Sequence, residues 1–197
     1  WDALLNYYTA LSFAHEGEDL TERFWPASYQ LVGKDILKFH TIYWPALLMA
    51  ADLPVPDHVF VHGFLLMDGE KMSKSLGNVL DPFAVIDRFG SDALRYYLMR
   101  DVSFGQDGSV SAGAFEERYE NELANDYGNL ASRTLAMVGR YRDGRAPDVP
   151  HDPALDADFE DLATRVAELL DRAEVTQALE EIWVRVRRLN RYVEERA

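Results

Sequence analysis

Tyr29-Gln30-Leu31-Val32-Gly33-Lys34-Asp35-Ile36 and, further along, His58-Val59-Phe60-Val61-His62-Gly63 decide the fold. Each begins as a short apolar run closed by glycine, the pattern of a buried strand ending in a turn. Between them, Lys34 to Ala51 carries Ile36, Leu37, Phe39, His40, Tyr43, Trp44, Leu47 and Leu48 around most of a helical surface. So much apolar surface suits a helix packed between a sheet and other helices. Pro45 lies inside it and predicts a kink, because proline lacks an N–H and its ring collides with the preceding turn. Strand, helix, strand within residues 29–63 predicts a parallel βαβ unit, hence part of an α/β sheet.

Working outward, residues 2–13 keep a helix-like spacing through Leu4, Leu5, Tyr8 and Leu11, and Trp25-Pro26 interrupts the chain before the first strand. Phe64 to Met67, the Asp68-Gly69 turn and Glu70-Lys71 predict a small hairpin. Asp81 is the expected N-cap and Pro82 the first residue of a helix that stops at Gly90; Ser91 is the expected cap of another, Asp92 to Arg100. After Phe104-Gly105-Gln106-Asp107-Gly108 the pattern becomes wholly helical. Ala114 to Arg142, Leu155 to Arg172 and Thr176 to Arg196 keep a 3.6-residue period around a polar, Pro-rich loop at 143–153, which predicts an antiparallel α-helical bundle. The small, flexible run from Gly108 to Gly113 divides the chain into residues 1–110 and 111–197.

With 197 residues, 48% of them hydrophobic and 27% charged, the chain has the composition of a soluble globular protein of one or two domains. No apolar run reaches the roughly 18 residues of a membrane span. The absence of cysteine excludes disulfides and thiolate metal sites, and fits a cytoplasmic protein. Residues 1–109 carry 8 basic and 15 acidic side chains, residues 110–197 carry 12 and 19, and the net charge is −14. Such a chain is no bulk electrostatic binder of nucleic acid; any RNA must be held by local basic patches and specific contacts. All the basic residues of the second part are arginines.

Several residues invite chemistry, each with a plain structural alternative. Lys71-Met72-Ser73-Lys74-Ser75 holds two of the four lysines. It is either a solvated loop or a mobile pair of ammonium groups for a polyphosphate. Asp35 lies where a parallel strand ends. It either caps the next helix or accepts from ribose hydroxyls at the carboxyl edge of the sheet, where ligands of open α/β sheets bind. His40 is either a core histidine on an apolar helix or a polar tip in a pocket. Asn129 and Arg133 share a helix face one turn apart; they are surface polar residues or a pair able to read exposed bases.

Lys71 to Asp81, with Phe104 to Gly108 downstream, resembles the class I aminoacyl-tRNA synthetases. Trp1-Asp2-Ala3-Leu4-Leu5-Asn6-Tyr7, Gly33-Lys34-Asp35-Ile36 with Phe39-His40 and Trp44-Pro45-Ala46, and Val61-His62-Gly63-Phe64 narrow the likeness to the methionyl-tRNA synthetase family. Leu123 to Arg133 resembles that family's anticodon-binding domain, so the resemblance covers essentially the whole chain. It implies the C-terminal part of a Rossmann-type catalytic domain over residues 1–110 and a truncated anticodon-binding bundle over 111–197. The implied enzyme is a cytoplasmic ligase of protein biosynthesis. It uses ATP with Mg2+ to make methionyl-adenylate and transfers methionine to tRNA(Met).

The resemblance also assigns roles. Lys74, supported by Lys71, is the catalytic cation. Gly33, Asp35, His62, Gly63, Leu65, Lys71, Ser73 and Lys74 bind ATP, and Ala3, Leu4, Tyr7, Ile36, Phe39 and His40 line the methionine pocket, with Tyr7 and His40 near sulfur. Asn129 and Arg133 recognise the CAU anticodon. No metal site is expected within this chain. None of the five histidines forms the family's His-Ile-Gly-His motif. The chain is thus expected to be the C-terminal portion of such an enzyme and inactive alone. A class I synthetase for another apolar amino acid, and a non-catalytic tRNA-binding or assembly protein, remain as alternatives.

Overall fold

A computed structural model describes residues 2–13, 17–67, 69–72, 79–146 and 148–196. The chain forms two compact units, Trp1–Phe64 and Leu65–Ala197.

In the first unit, α1 (Asp2–Thr9) and α2 (Thr21–Phe24) precede β1 (Tyr29–Gly33), and α3 (Trp44–Ala50) leads to β2 (His58–His62). β1 and β2 pair in parallel, from Tyr29 opposite His58 to Gly33 opposite His62, so the predicted βαβ unit is present. Its crossover is not one helix bent at proline. A 3₁₀ turn, Lys34–Ile36, is followed by π-helical turns over Phe39–Tyr43, and Pro45 sits in the first turn of α3. Pro45 has no N–H for the ladder, and the wider turn ahead of it absorbs that mismatch. The Trp44 N–H reaches back to the Phe39 carbonyl. Side chains bond carbonyls of the irregular stretch: His40 Nδ1 donates to Ile36 O at 3.0 Å and Thr41 Oγ1 to Leu37 O at 2.9 Å. Leu4, Trp44 and Leu48 form the core, with Tyr8, Trp25, Leu47 and Leu53 against it. Burying each large apolar side chain contributes about 1.5–3 kcal/mol. Gln30 and Val32 of β1 point inward, whereas Tyr29 and Leu31 are exposed. The pleat sends alternate residues to opposite faces, so β1 is half-buried rather than the buried strand its apolar run predicts.

In the second unit, β3 (Leu65–Met67) and β4 (Glu70–Lys71) make the predicted hairpin, and β5 (Gly108–Val110) adds to β3 in parallel. Asp81 Oδ1 accepts from the Phe83 N–H at 2.9 Å, capping α4 (Pro82–Phe89) as expected. α5 (Ser91–Asp101) begins one residue earlier than expected. Gly90, at φ +87°, holds the N-cap position and Ser91 makes no capping bond. Only glycine adopts that backbone conformation without strain, which lets two helices meet at one residue. Ser111 Oγ accepts from the Ala114 N–H at 3.1 Å and caps α6 (Ala112–Arg118). The predicted long helix is continuous, but widens to π-helical turns over Tyr119–Gly128 before α7 (Asn129–Arg142).

Residues 155–172 are split into α8 (Pro153–Phe159) and α9 (Leu162–Asp171). Arg185 Nε donates to the Asp158 carbonyl at 3.0 Å, taking an acceptor that an unbroken helix would offer to residue 162. Against α10 (Val175–Arg196), Arg165 pairs with Glu181, Asp161 with Arg185 and Asp158 with Arg188. One numbering falls as the other rises, so these segments are antiparallel. Tyr127 meets Trp183 and Arg133 meets Glu194, so α10 runs in the same direction as α7, giving an up-down-up arrangement.

The expected division between residues 110 and 111 falls inside this unit. Ala93, Tyr97, Val110 and Phe115 share one core, and the small residues from Gly108 form β5 and the start of α6 instead of a flexible link. Three residues of Gly-Ser-Val carry too little periodicity to announce a strand. Gly108 is required for space: a Cβ there would lie 2.3–2.8 Å from the Val102 side chain.

Candidate functional site

The carboxyl ends of β1 and β2 place Gly33 opposite His62. Asp35 folds back over the strand end, with Oδ1 2.7 Å from where a Gly33 Cβ would stand; His62 Cε1 and Nε2 are 3.6 and 3.8 Å from the same point. With φ at an ordinary −74°, glycine here leaves the space that the Asp35 carboxylate occupies, and a side chain would push that exposed carboxylate aside. Asp35 is exposed, lies within the 3₁₀ turn and makes no capping hydrogen bond. The helix-cap alternative is therefore not what the structure contains. His62 Nδ1 donates to the Gly63 carbonyl at 2.9 Å, which leaves Nε2 of the neutral ring as an acceptor. An open carboxylate and an imidazole nitrogen thus share the strand ends, the place where open α/β sheets bind ligands. The Lys34 ammonium lies 4.6 Å from the centroid of Phe64.

The other expected ATP residues lie in the second unit. Leu65 opens β3 opposite Gly108, and Lys71 closes β4 opposite Leu66. Ser73 and Lys74, the expected catalytic cation among them, fall outside the described residues.

Tyr7 from α1 and His40 from the π-helical turns meet edge to face, with ring centroids 5.5 Å apart. Their hydrogen bond is 2.9 Å between Tyr7 Oη and His40 Nε2. Its direction is set by the other nitrogen. The Ile36 carbonyl can only accept, so Nδ1 carries the proton and Nε2 receives the tyrosine hydroxyl hydrogen. His40 is only 4% exposed, so it is both a core histidine and the anchor of an exposed tyrosine. Leu4 belongs to the core, whereas Ala3, Ile36 and Phe39 are exposed. Of the six expected pocket residues, only Tyr7 lines a cavity of about 210 Å³ shared with Leu11, Trp25 and Gln30. Gln30 was not singled out in the sequence. It is buried, and among the described residues neither amide atom has a hydrogen-bond partner, a costly state in an apolar wall. Its only sequence signal is an amide at an inward position of a strand.

In the helical part, Asn129 opens α7 exposed to solvent, and Arg133 Nη1 stands 3.7 Å from Glu194 Oε1 of α10. A buried ionic cluster escaped the sequence reading altogether. Glu122, 9% exposed, receives hydrogen bonds from the Tyr96 hydroxyl, from Arg100 at 3.1 Å and from Arg118 at 3.0 Å. Arg100 also pairs with Glu180, and Arg118 with Asp101 at 2.8 Å. Burial pushes the Glu122 carboxyl upward, but hydrogen bonds from Tyr96 and Arg100 and the charges of Arg100 and Arg118 outweigh it, so the pKa is lowered. Burial, together with Glu122, raises that of the Tyr96 phenol.

Among the described residues, no group of three or more His, Asp or Glu side chains could hold a metal ion. No helix among them is long and apolar enough to cross a membrane.

A parallel βαβ unit with polar groups gathered at its strand ends is the geometry of a Rossmann-like, ligand-binding α/β protein. Residues 1–135 match the profile of the family described as "tRNA synthetases class I (M)", and the chain belongs to that family. It is 49% identical over 199 residues to "Methionine--tRNA ligase 1" of Bacillus anthracis, covering 98% of this chain and 30% of that protein. It is 47% identical over 198 residues to "Methionine--tRNA ligase" of Clostridium acetobutylicum, covering 98% and 31%. The chain thus spans about 30% of the length of these curated relatives. Among solved structures, it resembles Mycobacterium tuberculosis methionyl-tRNA synthetase in complex with methionyl-adenylate, with a TM-score of 0.91 and 45% identity over 98% of this chain and 39% of that one. The apo form of that enzyme gives 0.85 and 41%.

Proposed function

We propose that the protein carrying this chain is a methionine–tRNA ligase working in the cytoplasm. The observation that supports it most is the gathering of Gly33, Asp35 and His62 at the strand ends, in a chain nearly half identical to such ligases. In the first step a methionine carboxylate oxygen bonds to the α-phosphorus of ATP, and the bond to the β-phosphate bridge breaks to release pyrophosphate. In the second, the terminal hydroxyl of tRNA(Met) attacks the acyl carbon, AMP leaves and the hydroxyl proton is lost to solvent or phosphate. Asp35 accepts from the ribose hydroxyls, and His62, Gly63 and Leu65 line the adenine side. Lys74, with Lys71 and Ser73, neutralises charge that builds on the leaving phosphates. This is catalysis by positioning and electrostatics. Mg2+ would enter with ATP and help neutralise its phosphate charge.

Tyr7, oriented by His40, faces the methionine side chain, with Ala3, Leu4, Ile36 and Phe39 shaping the apolar wall. The helices of residues 111–197, within the second unit, bind the anticodon, and Asn129 and Arg133 read the CAU anticodon of tRNA(Met). Amino-acid-dependent ATP–pyrophosphate exchange by the full-length protein tests the proposal. Exchange that requires methionine is expected. Exchange driven by another apolar amino acid, or none at all, would overturn it.

A further inference from the structure

The arginines of the helical part are not used evenly. Of the 12 in residues 110–197, eight form ion pairs. Arg140, Arg142, Arg145 and Arg191 form none among the described residues, and three of these four lie within six positions of one another. The last turn of α7 is also the exposed end of that helix. Leu130, Ala131, Met137 and Val138 are partly buried, but every residue from 139 to 146 is exposed. A backbone N–H from Arg145 to the Arg142 carbonyl, 3.0 Å, turns the chain tightly after the helix. The Arg140 guanidinium lies 5.4 Å from the centroid of the exposed Tyr141 ring. Three arginines against one acid, Asp143, make residues 140–145 a locally basic stretch in a chain that is otherwise strongly acidic.

Its place on the helix gives it a direction. Arg140 lies eleven residues beyond Asn129, close to three turns of 3.6, so the two share a face. That face runs from Asn129 through the partly exposed Arg133 and the exposed Ala136 to Arg140. Arg133 to Arg140 spans about 10 Å along the axis and Asn129 to Arg140 about 16 Å. Two residues able to read bases are followed on the same exposed stripe by Arg140, and Arg142 and Arg145 come within the next five residues, Arg142 on another side of the last turn and Arg145 beyond the helix end.

We propose that Arg140, Arg142 and Arg145, at the exposed end of α7, bind the sugar-phosphate backbone of the same tRNA whose anticodon is read by Asn129 and Arg133. The proposal rests on the ligase reading above. The competing role is local: cations in the last turn offset the negative end of the helix dipole. The two roles separate by measurement. A phosphate contact contributes to the salt dependence of RNA binding, about 0.7 per contact on single strands and 0.9 on duplex. A dipole contact contributes to the melting temperature and not to that slope.

The experiment titrates the full-length protein with an unmodified tRNA transcript bearing a CAU anticodon, at several salt concentrations. Wild type, R140Q/R142Q/R145Q and R140K/R142K/R145K are compared, with thermal melts of each. The glutamine variant is expected to lower the magnitude of the slope of log K against log salt by about 2 to 3. The lysine variant keeps the slope, because phosphate neutralisation needs the charge and not the guanidinium fork. A folded glutamine variant with the wild-type slope, and CAU-dependent binding intact, overturns the patch and leaves the ligase reading standing. Failure of wild type to bind the transcript at all overturns both.

Discussion

Two side chains in the first unit depend on one proton. Because the Ile36 carbonyl fixes the hydrogen on Nδ1 of His40, the Tyr7 hydroxyl donates to Nε2, and its remaining lone pairs face outward. Tyr7→Phe strands a buried nitrogen and should lower stability by about 1–3 kcal/mol, read from urea unfolding of the chain; an unchanged midpoint would remove the tyrosine from this role. In the full-length protein the same change should raise KM for methionine. Lys74 belongs to the same scale. As the proposed partner of the leaving phosphates, Lys74→Ala should slow adenylate formation by roughly 10²–10³-fold, by analogy with other charge-stabilising contacts, while barely changing methionine binding. Single-turnover measurement of pyrophosphate release checks this, and an unaltered rate removes the role. Asp35 shows how a residue's chemistry depends on its neighbours. Sequence alone left cap and ribose acceptor open; in the fold Asp35 makes no capping bond, and its carboxylate stands in the space left by the glycine two positions earlier.

At the scale of elements, several boundaries are set by single residues. Asp81 and Pro82 start α4, and Ser111 starts α6 through its hydroxyl. Gly108 sets β5 in a different way. Its missing Cβ leaves room for Val102 beside the strand, so Gly108→Ala should overpack that contact and cost about 1–3 kcal/mol. Calorimetric unfolding checks this; an unchanged melting temperature would mean that the contact relaxes freely. The strands and long helices were legible in the sequence because apolar period and caps are local signals. β5 was not, since three residues carry no period, and neither was the winding of the helices. The π-helical turns before Pro45 arise from a missing N–H, a cause the sequence contains, but its effect as a widened turn instead of a kink depends on the side-chain hydrogen bonds of His40 and Thr41.

At the scale of the folded molecule, the buried cluster around Glu122 ties α5 and α10 to the long helix. Removing one partner leaves buried charge uncompensated, so Glu122→Ala should cost about 3–5 kcal/mol. The pH dependence has a defined sign. Glu122 has a folded pKa below its ordinary 4.5. Its contribution is therefore fully present above about pH 4.5 and is lost as pH falls through the lowered folded value. Urea midpoints measured from neutral to strongly acidic pH should fall below that point in wild type. They should fall less steeply in Glu122→Gln, and parallel curves would place the acid sensitivity elsewhere. Nothing local marks Glu122 as special: acids are common along this helix, and only the packing of three segments selects the one that is buried.

By itself the sequence determined the βαβ order, the helix caps, the acidic charge balance and the motifs that place the chain among the class I tRNA synthetases. These are properties of residues close together along the chain, where periodicity, propensity and spacing act directly. The tertiary structure alone decided which face of β1 is buried, which nitrogen of His40 holds the proton, which glutamate is enclosed by arginines, and which arginines are left unpaired at the end of α7. Each of those depends on distant segments meeting, because burial and hydrogen-bond partners are set by what packs against a residue and not by its neighbours in the chain.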